Sequence, residues 1–96
     1  MIFGLFGKKT GEAAIKKHAT RIADKRAQAP DRWDSIQALG KMIADAKKKD
    51  ATDEDRKHAG MAVAALLPRF GYTSDPSITD NDEKEEACRI AVEAGE

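Results

Sequence analysis

His18, His58 and Cys88 are the imidazole and thiol groups of this chain. No two of them stand four residues apart or in a Cys-x-x-Cys spacing, so their pattern predicts no metal centre. His18 follows Ile15 by three residues and precedes Ile22 by four, on or beside an apolar stripe. Packing or solvent contact is the expected role of both histidines. Nucleophilic chemistry requires a Ser or Cys beside a base. Ser35 falls inside a helical pattern, Ser74 and Ser77 in a polar loop, and Cys88 on an acidic helix, the wrong setting for a nucleophilic thiolate. Gly4 and Gly7 precede lysines, but no strand leads into them, so they form no phosphate loop. Asp80, Asp82 and Glu83 lack the central glycine and distal glutamate of a calcium loop. Elimination across these site types predicts a protein that is not an enzyme and carries no cofactor.

Charge offers binding surfaces instead. Lys17, Arg21 and Lys25 recur at i, i+4, i+8, with Lys16 and Arg32 beside them. Like charges at that spacing oppose the helix by about 0.2–0.5 kcal/mol per pair, which asks for an external or intramolecular match. Asp82, Glu83 and Glu86 provide one of opposite sign. Phosphate contact by the basic row is the alternative, a nucleic-acid module, although no aromatic residues interleave the basics to stack on bases. A second candidate is the arm of Ile2, Phe3, Leu5 and Phe6, followed by Lys8 and Lys9. It either folds back to cover an exposed end of the fold or meets a membrane surface weakly.

Helices must position these groups. The spacing of Ile15, Ala19 and Ile22 predicts a helix from about Gly11 to Gln28, ended by Ala29-Pro30. A second, from Arg32 to about Lys49 with Asp31 as N-cap, carries Trp33, Ile36, Leu39, Ile43 and Ala46. A third runs from about Asp53 to Arg69, with Ala59, Ala62, Val63, Leu66 and Phe70 turned inward and Pro68 tightening its last turn. Asp75-Pro76 marks a turn, and Thr79 or Asp80 caps a fourth helix ending at Ala94. The hairpin core is expected from Trp33, Ile36, Leu39, Ile43, Val63, Leu66 and Phe70. The organisation is then an N-terminal arm, residues 1–10, and one helical domain, residues 11–96.

Leu, Ile, Val and Phe together number 16, while Ala alone supplies 17 positions, so thin helical layers are expected in place of a deep core. Lys and Arg balance Asp and Glu at 17 each. The distribution is uneven: residues 1–33 hold eight basic and three acidic residues, and residues 75–96 hold two and eight. Such a dipolar chain suits pairing with itself or with unlike partners. A lone cysteine and the lack of a membrane-length apolar run point to the cytoplasm.

Two stretches, Asp31 to Met42 and Ala62 to Phe70, resemble the halves of a HEAT repeat, and Asp82 to Glu96 is similar to the opening helix of a following repeat. The HEAT-like hairpin spans about 31–70 and the partial-repeat helix about 80–94. The 19 residues Ile43 to Met61 between the matching stretches exceed the usual short turn, so the helices must be longer or the connection different. The resemblance implies an all-α solenoid or bundle of about four helices and a protein-binding scaffold or adaptor. Solenoids need about three repeats for stability, and about one and a half repeats plus a first helix are legible here, which predicts self-association or a tightly held partner along the face of the fourth helix.

Overall fold

The computed structural model describes residues 2–95, with side chains from Gly11 to Gly95. The arm residues Ile2, Phe3, Leu5 and Phe6 therefore have their side chains outside the described residues. The chain forms α1 (Ile2–Ala23), α2 (Ala29–Asp45), α3 (Asp53–Leu66), a 3-10 turn (Leu67–Gly71) and α4 (Ser77–Ala94). Among the described residues there is no strand, and no helix is long and apolar enough to cross a membrane.

Local chemistry sets where each helix begins and ends. After α1, Asp24 accepts the Arg26 amide on its side chain at 2.9 Å and the Ala27 amide on its carbonyl at 3.1 Å. This turn stops the helix five residues before the expected Gln28 and leaves Lys25 beyond it, so the basic row is not one helical stripe. Pro30 begins the next helix and does not end the previous one, which has already stopped at Ala23. With φ preset and its missing N–H an orphan in any first turn, it starts α2 two residues ahead of Asp31, which becomes a first-turn acid and not the N-cap. At the other end, α2 stops at Asp45, and Lys47, Lys48 and Lys49 lie in turns past it. Thr52 caps α3: its hydroxyl accepts the Asp55 amide at 3.1 Å while the Asp55 carboxylate accepts the Thr52 amide at 2.9 Å. Helices that extend into the Ile43–Met61 interval leave only residues 46–52 as the connection.

The core takes Ile15 and Ile22 from α1, Ile36, Leu39 and Ile43 from α2, Ala62, Ala65 and Leu66 from α3, and Ala87 and Ile90 from α4. Helix α2 packs on all three others, and α3 packs on α1 and α4, whereas α1 and α4 do not touch among the described residues. At Gly40 a Cβ would lie 2.9 Å from Ile90 Cδ1, so glycine sets how closely α2 and α4 approach. The shortest dimension, 17 Å against a longest of 45 Å, is that of two helix layers, with Cα cylinders of about 2.3 Å radius and axes about 10 Å apart. Each helix thus keeps a face to solvent, as the scarcity of large apolar residues predicts.

Two expected core residues lie on the surface. Trp33 is 38 % exposed and Phe70 is 43 % exposed. On α2 the inward face runs Arg32, Ser35, Ile36, Leu39, Ile43, which turns Trp33 to its edge. Past Leu66, the 3-10 turn stacks residues three apart, so Arg69 falls in line under Leu66 and Phe70 points away. Val63 is only partly buried against the core.

Candidate interaction surface

A buried ion network fixes the start of α4 against α2 and the 3-10 turn. Glu83, on α4, is 1 % exposed and accepts from Arg32 Nε at 2.8 Å and from Arg69 Nε at 2.9 Å through the same oxygen. Arg32 also donates to the backbone carbonyls of Lys25 at 3.3 Å and of Ala27, which ties the α1–α2 turn to α4. Arg69 spends its remaining donors on Tyr72 O at 3.0 Å, Ser74 Oγ at 3.0 Å and Asp80 Oδ1 at 2.7 Å. Its guanidinium carbon lies 4.4 Å from the Tyr72 ring centroid, and the Tyr72 hydroxyl donates to the Ile22 carbonyl. Two buried guanidiniums thus meet two buried carboxylates, and the donors are largely matched, as burial of charge requires.

Asp80 completes this network and not the α4 cap, because α4 begins at Ser77 and the carboxylate accepts the Ser74 amide at 3.0 Å. That amide bond, the Lys84 ammonium at 2.9 Å and the Arg69 guanidinium outweigh burial and hold Asp80 well below the usual carboxylate range. The network also corrects the surface inventory. Arg32 and Glu83 are buried and internally paired, so neither flanks a basic row nor faces a partner. Glu86 is held by Arg89 at 2.7 Å and by Gln37, and the Arg89 bonds lower its pKa against the effect of burial. Of the three acidic candidates, Asp82 alone is exposed with no ion pair among the described residues.

Around Asp82 lies a concavity of about 330 Å³ lined by Ala29, Pro30, Trp33, Asp34, Thr79 and Asp82, with Glu83 behind them. Its walls are chiefly apolar and its rim carries Asp34 and Asp82. The same Ala29 and Pro30 border a second depression, which the exposed Lys25, Arg26 and Asp75 also line. Lys17 and Arg21 lie farther along α1 beside Asp24 and Ala27. Pro30 and Trp33, with the exposed Asp31 between them, therefore form a ridge that has Lys25, Arg26 and Asp75 along one depression and Asp34 and Asp82 along the other. The sequence gives Trp33 no mark as a surface residue, since its spacing from Ile36 and Leu39 is that of a core position.

Comparison with family models, with curated proteins and with solved structures returns no match for this chain.

His18 has a polar partner in the packed layer: Nδ1 and Ser35 Oγ share a 2.8 Å hydrogen bond. Burial, then repulsion by Arg21 and Lys17, lowers its pKa from the ordinary value. The folded chain therefore disfavours the proton relative to the unfolded chain. The stabilisation this gives is complete above an unfolded value of about 6.5 and is lost as pH falls from there through the lower folded value. We expect NMR titration of His18 to give a midpoint below that of a free imidazole. A midpoint at or above it would contradict a partly buried imidazole kept neutral by its surroundings.

Proposed function

We propose that this protein is a non-enzymatic, HEAT-like interaction module that binds protein, and that its first partner is a second copy of itself. The observation that carries the reading is the Pro30–Trp33 ridge, with exposed Lys25 and Arg26 outnumbering Asp75 on one flank and exposed Asp34 and Asp82 on the other. A patch with opposite charges either side of an apolar centre is self-complementary about a two-fold axis: each basic flank meets the partner's acidic flank while the centres close on each other. A partly exposed tryptophan at such a centre is an efficient anchor, combining large apolar area with few rotatable bonds.

The order of helix packing supports the stacked-hairpin part of the proposal. In a two-layer array each helix touches its immediate neighbours and those two places away, but not one three places away. Helices α1 to α4 follow that rule, with α1 and α4 apart among the described residues. The assignment of α2 and α3 as one hairpin and α4 as the opening of the next agrees with it.

Sedimentation equilibrium of the native chain and of Trp33→Ala tests the proposal. The native chain is expected to associate at micromolar concentration. The Trp33→Ala chain is expected to remain folded by circular dichroism while its association weakens at least tenfold, the loss of about 1.4 kcal/mol or more that marks an anchor residue. Equal association of the two would remove Trp33 from the interface.

A further inference from the structure

His58 is the histidine without a matched environment. Its Nε2 is sealed from solvent and has no hydrogen-bond partner among the described residues. Glu54, one turn earlier on α3, places Oε1 3.5 Å from that nitrogen, beyond a good hydrogen bond. Glu12 approaches from α1. One ligand atom each of Glu12, Glu54 and His58 lies within 4.8 Å of the others, and all three residues are partly buried.

The packing aims the ring. A Cβ on Gly11 would stand 2.8 Å from His58 Cε1 and 3.1 Å from Nδ1, so the imidazole lies directly on the α1 backbone. A glycine inside a helix costs about 1 kcal/mol relative to alanine, and here its absent side chain makes room for the ring. The i, i+4 spacing puts Glu54 and His58 on the same face of α3.

We propose that Glu12, Glu54 and His58 bind a divalent transition-metal ion of the zinc class and so clasp α1 to α3. One imidazole nitrogen and two carboxylates, with a fourth position left for water, match the three-ligand sites that zinc accepts. Calcium wants six to eight oxygens and magnesium a near-ideal octahedron, and neither is served by this set. A cation here gives the buried Nε2 lone pair a partner. Lys57 opposes it, with Nζ 3.9 Å from Glu12 Oε1, but that side chain is 63 % exposed, so water can solvate its ammonium in place of Glu12.

The test is isothermal calorimetry of zinc chloride into the metal-stripped full chain carrying Cys88→Ser, which removes the exposed thiol as a competing ligand. One zinc per chain is expected, with NMR signals of the His58 ring shifting in step with occupancy. Glu12→Gln, Glu54→Gln and His58→Gln should each weaken binding at least tenfold, and calcium or magnesium chloride at the same concentrations should give no binding heat. Glu12→Gln changes a surface-reaching carboxylate and leaves the fold intact, so it reads the site even where His58→Gln loosens the packing. No zinc binding by the Cys88→Ser chain, or affinity unchanged in Glu12→Gln, would overturn the site. Because the clasp joins α1 to α3 away from Trp33, its failure leaves the self-association proposal standing.

Discussion

Replacing Glu83 with alanine is expected to remove about 3–5 kcal/mol of unfolding free energy, the loss that follows when one partner of a buried ion cluster is deleted. Glu83 accepts from both Arg32 and Arg69, which are themselves almost wholly buried. Its removal leaves two guanidiniums in the interior with Asp80 the remaining carboxylate, and Asp80 reaches only Arg69. Arg32 would lose its only anionic partner among the described residues while its carbonyl contacts to the α1–α2 turn stay in place. Domains of this size hold about 5–15 kcal/mol in total, so the variant should sit near the edge of folding. Asp82→Ala, one residue away on the same helix but exposed, should stay within about 0.5 kcal/mol of the native chain. Urea denaturation of both variants measures the contrast, and similar stabilities would refute the buried network.

Leu39→Ala should be the costliest of the apolar truncations on α2, at about 2–5 kcal/mol. Leu39 is fully buried on the helix that packs against every other one, so its truncation would open a cavity in the core. Phe70→Ala removes a larger side chain and should cost less, under about 1 kcal/mol, because the ring is nearly half exposed after the 3-10 turn. Chemical denaturation ranks the two directly. A Phe70→Ala loss equal to that of Leu39→Ala would return Phe70 to the core.

The aliphatic skeleton was legible from spacing alone. Ile15 and Ile22, then Ile36, Leu39 and Ile43, then Ala62 and Leu66 recur at helical intervals and are all buried. Periodicity cannot tell which of two adjacent residues completes a stripe. It takes Trp33 over Arg32 and Phe70 over Arg69, since arginine is seldom inside, whereas the fold buries both arginines by supplying carboxylates from α4. That pairing joins residues 51 and 14 positions apart, a relation that local patterning does not contain. Helix ends were misplaced for a related reason. Pro30 and Asp80 act through a first-turn fit and a loop amide, so neither plays the role its residue type suggests at short range.

The binding surface was legible in part. Net charge per segment located opposite signs at the two ends of the chain, but tertiary structure removed Arg32, Glu83 and Glu86 from the exposed set. It also displaced Lys25 from the α1 row to the border of the Pro30 ridge. The candidate zinc ligands follow the same division. Glu54 and His58 stand at i, i+4 in the sequence, while Glu12 joins them only when α1 packs on α3.

If the two flanks of the Pro30–Trp33 ridge meet across a two-fold axis, a charge-swap series followed by sedimentation velocity will show it. Lys25→Glu and Asp82→Lys should each place like charges in contact at the interface and shift the association toward monomer. The double variant restores opposite charges between copies and should recover the dimer. A native chain that stays monomeric at high micromolar concentration, or a double variant no better associated than either single one, would contradict the account.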